Sequence, residues 1–386
     1  LKLQLLPFRA KSDTLGGAEF YSPDYFSAKN RFLAACQRLG FERHSLLIEA
    51  PSPNGEPLTI DVAFAGDPNP ARALVVSSGV HGVEGFFGSA VQLAYLEGLP
   101  AGWRPTPGTA VVFIHALNPF GFAWQRRFNE DNVDLNRNFL LAGEMYTGAP
   151  PLCGVFRRVL MRHPRRPRLS PAASRLALVA MRHGVRSFWE NLPVGQYEFS
   201  DWLFFGGAAR SQSATLLEDL LPRLLGSCGE VVHLDFHTGL GRWGRGKLLL
   251  SEDASSASAG WWRTHFGSSH VAESDGSPGR YRIRGGFGTW LKAQFPHCRY
   301  QFATAEFGTY SPLRVIRALA DELHWHSKLG TQLPDHWARR RLTEMFVPRD
   351  RRWRTQSLHA GHSLIHRAFN VLDQSAPLPV DLLAAS

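Results

Sequence analysis

Four short runs dominated by apolar residues, 71–77, 109–116, 230–236 and 299–304, each give way at the carboxyl end to a polar, glycine-bearing loop. A strand with one wet face alternates polar and apolar side chains, whereas a run that is apolar on both faces has to lie inside a covered sheet. Apolar residues at helical spacing over 86–96, 261–266, 287–295 and 312–329 supply the covers. The pattern predicts an α/β fold: a largely parallel mixed sheet with helices on both faces. Ligands bind beyond the carboxyl ends of such strands, so the loops after the four runs carry the functional expectation.

Around this centre a helix is expected over 25–39, with Asp24 as N-cap and Gly40 as its stop. Residues 44–50 and 58–65 read as strands joined by the turn Pro51-Ser52-Pro53-Asn54-Gly55, and further strands are expected at 247–251 and 281–283. Residues 150–200 are arginine-rich and broken by Pro164, Pro167 and Pro171, and they read as a helical insertion. The main domain is therefore expected over 18–330, with a helical C-terminal appendage over 331–386. At 386 residues and 44% apolar content, the chain has ample material for a core.

The formal charge of +10 comes almost wholly from arginine: 43 basic residues less six lysines leaves 37. The dense stretches, 157–186 and 339–354, are interleaved with apolar residues. That is the pattern of solvated amphipathic helix faces rather than of a mixed Lys/Arg arm on nucleic acid, and an acidic small substrate is a second source of the excess. Cys36, Cys153, Cys228 and Cys298 stand alone, with no C-x-x-C pair, and no run approaches a transmembrane length. A cytoplasmic protein is the expectation, with neither nucleic acid nor membrane as partner.

In the loop after 71–77 stand His81 and Glu84, flanked by Gly79, Gly82 and Gly85. The H-x-x-E spacing is weak by itself, since His270 and Glu273 share it without a buried strand ahead of them. In a glycine-flanked turn from strand to helix, however, an imidazole and a carboxylate could bind one Zn²⁺. A catalytic zinc needs a third donor, and His237, at the end of 230–236, fits. His233, four residues earlier, reads as internal. Residues 118–139 hold Arg126, Arg127 and Arg137 among Asn and Asp, either as a charged surface loop or as a fork-shaped anion receptor. Glu306, after 299–304, is a helix cap or surface charge unless it lies beside a metal, where it could act as general base. His359, His362 and His366 share a helical spacing but lack a carboxylate partner, and they read as surface histidines.

His81-Gly82-Val83-Glu84, the segment Asp134-Leu135-Asn136-Arg137, His237 and Glu306 together resemble the zinc carboxypeptidase superfamily, which includes the succinylglutamate desuccinylase and aspartoacylase amidohydrolases. The chain is most similar to a bacterial branch in which H-G-V-E-G, N-E-D-N-V-D-L-N-R-N-F and E-F-G-T occur in this order, over about residues 20–330. The resemblance implies a zinc carboxypeptidase-like sheet and one zinc per chain, bound by His81, Glu84 and His237. Glu306 would activate the water at the metal. Asn136 and Arg137 would bind the substrate carboxylate, and Asp134 would orient His81. The arginine that polarises the scissile carbonyl would be Arg126 or Arg127, with Arg127 preferred because an aromatic residue follows it. A catalytic tyrosine has three candidates, Tyr281, Tyr300 and Tyr310, with no spacing to choose among them.

The expected activity is zinc-dependent cleavage of an amide bond next to a free carboxylate, as a metallocarboxypeptidase on peptides. An N-acyl amino-acid deacylase would use the same zinc site. A non-catalytic binding protein using its basic surface is the reading from another class, and the presence of Glu306 and all three ligand residues weighs against it.

Overall fold

The computed structural model describes residues 17–160, 181–182, 184, 191–272, 283–332 and 335–374. Its strands are β1 (Glu42–Ile48), β2 (Leu58–Gly66), β3 (Arg72–Ser78), β4 (Thr109–His115), β5 (Glu230–Trp243), β6 (Gly246–Leu249), β7 (Val271–Ala272) and β8 (Arg299–Gly308). The helices are α1 (Tyr25–Leu39), α2 (Gly85–Gly98), α3 (Pro119–Ala123), α4 (Cys153–Leu160), α5 (Gln212–Leu225), α6 (Ala257–Phe266), α7 (Phe287–Gln294), α8 (Pro312–Leu329), α9 (Trp337–Phe346) and α10 (Arg351–Gln374).

The strands form one sheet in the order β1-β2-β4-β3-β5-β8-β6-β7. Its centre, β4-β3-β5-β8, is parallel throughout; β1, β2 and β4 are joined antiparallel, as are β6 and β8, and β7 runs parallel to β6. The mixed, largely parallel α/β sheet read from the sequence is the sheet observed. Helix α1 has the limits its periodicity predicts: the Asp24 side chain accepts from the Ser27 N–H, and Gly40 ends the helix at φ 67°.

Alternation along β5 and β8 sorts residues onto two faces. Phe236 and Phe307 turn toward Phe87 on α2, while His233 and Phe302 turn toward Phe287 on α7. His233, Asp235, His237 and Glu306 therefore share the face away from α2, and they are buried there.

The expected ends of two strands need correction: the runs at 230–236 and 299–304 continue as strands to Trp243 and Gly308, so His237 and Glu306 lie inside β5 and β8, side by side in register. The parallel ladder satisfies the backbone whatever the side chains are, and polar residues facing a cleft do not end it. Of the strand expected at 281–283, residues 281 and 282 lie outside the described residues and Ile283 is not in a strand; β6 pairs with β8 and with Val271–Ala272. The chain after Gly330 is helical over α9 and α10 and packs on the core. Trp353, Leu358, Ile365 and Leu372 form one buried stripe of α10, and the Trp353 indole N–H donates to the Gly308 carbonyl at 2.8 Å.

Most of the expected insertion at 150–200 lies outside the described residues, as does Glu273. Arg339, expected on a wet face, is buried over the Trp124 ring, 5.1 Å from its centroid, and donates to the Gly330 carbonyl. The four cysteines are free. No helix among the described residues is long and apolar enough to cross a membrane.

Candidate metal centre and active-site cleft

Past β3 the chain reverses at Gly79 (φ 69°) and enters a 3-10 turn, Gly82–Glu84, with His81 just ahead of it. The turn is pressed against the loop after β4. A Cβ on Gly82 would come 2.1 Å from the Gly121 carbonyl carbon, and the Gly82 and Val83 N–H groups donate to the Arg127 and Arg126 carbonyls. Only glycine allows that approach. It brings the arginine pair under the turn that carries His81 and Glu84.

His81 Nδ1 lies 2.9 Å from Glu84 Oε1, and His237 Nδ1 lies 3.3 Å from Glu84 Oε2, with the two rings edge to face at 4.9 Å. All three residues are buried, and their ligand atoms fall within 4.8 Å of one another. Among the described residues this is the one such group; His359, His362 and His366 form none. His237 Nε2 is 2.6 Å from Asp235 Oδ2. Asp134 Oδ1, at 3.2 Å, and Arg127 Nη2, at 2.7 Å, compete for His81 Nε2. Pairing with the two aspartates puts the protons on Nε2 and leaves both Nδ1 lone pairs converging with Glu84, the arrangement a divalent metal takes. His81 Nδ1 makes no well-aligned hydrogen bond, its near polar neighbour being the Glu84 carboxylate, which leaves it placed to bind a metal together with that group.

Four buried carboxyl groups, Glu84, Asp134, Asp235 and Glu306, share the site with the guanidinium groups of Arg127 and Arg137 and the imidazoles of His81 and His237. Burial opposes charge on His237, but Asp235 and Glu84 outweigh it and hold the imidazole well above its usual range. Burial raises the Glu84 carboxyl, but His81 and His237 outweigh it and hold the group well below the usual range. Burial likewise opposes ionisation of Asp134 and is overcome by Arg127 and His81. Glu306 goes the other way: burial first, then the neighbouring Glu84, push it up to about 7. Its Oε1 accepts from the Leu240 N–H at 2.8 Å.

The two candidate arginines part company. Arg127 donates through Nε to Asp134 Oδ2 at 3.0 Å and through Nη1 to Glu84 Oε1 at 3.2 Å, while Arg126 is turned into the core against Glu322 on α8 at 2.6 Å. Arg137 packs over Phe204 and donates through Nε and Nη2 to the Pro193 carbonyl, at 3.2 and 2.6 Å. Asn136 Oδ1 accepts from the Phe287 N–H at the start of α7. One cavity of about 810 Å³ is lined by His81, Glu84, His237, Arg127, Asn136, Arg137 and Glu306. Neither Tyr300, which bonds to His233, nor Tyr310, which donates to Glu344, lines it, and Tyr281 lies outside the described residues.

Sequence reasoning passed over Asp235, although Asp-x-His within a strand places both side chains on one face. It also passed over the far wall of the cavity, where Glu252 on the loop after β6 pairs with Lys292 on α7.

The sequence matches the family described as Protein of unknown function (DUF2817) over residues 21–360. The chain belongs to the DUF2817 family. The matched span holds every residue of the cavity named above and runs past Gly330 through α9 into α10, the part of this DUF2817 chain that completes the core. No curated protein matches the sequence. Among solved structures the DUF2817 chain is similar to bovine thrombin-activatable fibrinolysis inhibitor in complex with tick carboxypeptidase inhibitor, at 13% identity and TM-score 0.45, over 90% of this chain and 99% of that one. It is similar to carboxypeptidase A from Helicoverpa armigera, at 11% identity and TM-score 0.45, over 86% and 77%. A metallo-carboxypeptidase from Burkholderia cenocepacia is similar at 13% identity and TM-score 0.43, over 89% and 68%.

Proposed function

We propose that the protein is a zinc-dependent hydrolase that cleaves an amide bond next to a free carboxylate, acting on peptides as a carboxypeptidase. The observation that carries this reading is the convergence of His81 Nδ1, His237 Nδ1 and Glu84 in a cavity that also holds Arg127, Arg137 and Glu306. Zinc held by those three residues would polarise the scissile carbonyl and acidify a water from a pKa of about 15.7 to about 7. Glu306 takes the proton released as the water attacks and passes it to the departing amine nitrogen. Arg127 donates to the carbonyl oxygen as negative charge builds there. Arg137, whose present acceptors are the neutral carbonyls of Pro193 and Asn136, exchanges the Pro193 carbonyl for the substrate carboxylate and forms two parallel bonds. The amide of Asn136 stands beside it in the same cavity.

The test pairs metal analysis with hydrolysis of a blocked dipeptide, its C-terminal carboxamide and an N-acetyl amino acid. One zinc per chain and cleavage of the free acid far above the carboxamide are expected. A zinc-free protein, or equal rates on acid and carboxamide, would overturn the reading, and preference for the N-acetyl amino acid would make the protein a deacylase.

A further inference from the structure

His237 ends a buried chain of polar side chains that crosses three neighbouring strands. Tyr300 on β8 meets His233 on β5 at 2.9 Å between Oη and Nδ1. His233 Nε2 lies 2.7 Å from Ser77 Oγ on β3, Ser77 Oγ lies 2.6 Å from Asp235 Oδ1, and Asp235 Oδ2 lies 2.6 Å from His237 Nε2. These five residues are 0–6% exposed. His233, Asp235 and His237 line up because they alternate on one face of β5, and Ser77 is the register neighbour of Asp235.

The protons in this chain have one consistent arrangement. Two oxygens at 2.6 Å need a proton between them, and an ionised Asp235 has none, so the Ser77 hydroxyl donates to Asp235. Ser77 must then accept from His233, which puts the His233 proton on Nε2. His233 is a neutral, singly protonated imidazole, held there by burial that lowers its pKa to about 4. Its Nδ1 is therefore a lone pair and accepts from the Tyr300 hydroxyl. At the other end Asp235 can only accept, so His237 carries its proton on Nε2.

We propose that Tyr300, His233, Ser77 and Asp235 act together as a positioning device that fixes the ring and tautomer of His237, keeping its Nδ1 lone pair aimed at the metal. The proposal rests on the metal site described above and gives buried His233, four residues upstream, a task that its place inside a strand conceals. Groups that hold the far nitrogen of a ligating imidazole typically change metal affinity by about 10–100-fold when removed.

The decisive variant is Asp235→Asn. In the zinc-loaded protein the amide oxygen has to face the His237 Nε2–H, which turns the amide NH₂ toward Ser77. Ser77 must then accept, its own proton turns to His233 Nε2, and the His233 proton moves to Nδ1. Imidazole ¹⁵N spectra of the full chain, assigned with His233→Gln, should show His233 protonated at Nε2 in the wild type and at Nδ1 in Asp235→Asn. Chelator competition should show zinc dissociation constants raised about 10–100-fold in Asp235→Asn and about tenfold in Ser77→Ala. A purely structural role would instead lower the unfolding midpoint of the zinc-free proteins and leave zinc affinity unchanged. Equal zinc affinity in all three proteins, or a His233 proton that stays on Nε2 in Asp235→Asn, overturns the proposal and leaves the metal site standing. A wild type that binds no zinc overturns both.

Discussion

Glu84 and Glu306 share one cavity and are driven to opposite states, Glu84 kept ionised by two imidazoles and Glu306 pushed toward neutrality by burial and by Glu84 itself. A carboxyl poised near 7 is suited to move a proton, and one held low is suited to bind a cation. Glu306→Gln keeps size and hydrogen bonding, so turnover on an amide substrate should fall at least about a hundredfold while zinc content is retained; wild-type turnover would remove Glu306 from the chemistry. Only the ionised form accepts a proton. The kcat/KM of the wild type should therefore rise with pH through a midpoint at or below about 7, since a bound cation favours ionisation. Arg137→Ala should lose most of the preference for a free acid over its carboxamide, about 2–4 kcal/mol in transition-state binding, read from the ratio of kcat/KM values. His81, Glu84, His237 and Glu306 were legible as candidates because each stands just beyond an apolar run, whereas Arg127 and Arg137 lie well past residue 116 and stood out by their clustering with Asn and Asp and by the family resemblance. The choice between Arg126 and Arg127 was not legible from spacing, because a packing partner 196 residues away, Glu322, draws Arg126 inward.

At the scale of elements, the metal site depends on a backbone contact. The 3-10 turn Gly82–Glu84 lies so close to Gly121 that a single Cβ at Gly82 would overlap backbone atoms, which have no rotamer to retreat into. Gly82→Ala should cost about 3 kcal/mol of stability by chemical unfolding and weaken zinc binding, because His81 and Glu84 flank the displaced residue. Unchanged zinc affinity would show that the turn can shift as a unit. The same turn explains what could be read beforehand. Helix α1 announced itself through its cap, its stop and its period. The ends of β5 and β8 did not, because their last residues are polar for the sake of the cleft while the ladder continues beneath them. Local pattern records which face a side chain must suit, and it misleads where that face is neither core nor open solvent.

For the whole molecule, the arginine surplus does much of its work on backbone carbonyls: Arg38 on Leu96 and Leu99, Arg104 on Leu39, Arg72 on Leu372, Arg354 on Pro348. These contacts tie helices and loops to one another and, through Arg72 on β3, fasten α10 to the sheet. Histidine gives the fold its clearest dependence on pH. His115 and His233 are buried and neutral, with pKa values lowered by burial to about 3 and about 4. In the unfolded chain each would titrate near 6.5. Between that value and the folded one the unfolded state binds a proton that the fold refuses, so their stabilisation is complete above about 6.5 and is lost as pH falls, by about 1.4 kcal/mol per pH unit for each. Glu306 has the opposite sign: its folded pKa is raised, so acidification from 7 toward 4.5 favours the fold. Burial lowers His326 to about 3 and His362 to about 4 as well, so the histidines outweigh Glu306 and leave a net loss. The urea-unfolding free energy of the zinc-free protein should therefore decline from pH 6.5 to 4.5. In His115→Gln the loss should be shallower by about 1.4 kcal/mol per pH unit, whatever that substitution costs at neutral pH. Parallel pH profiles for the two proteins would mean that His115 is already protonated in the fold, with its unpartnered Nδ1 reached by water.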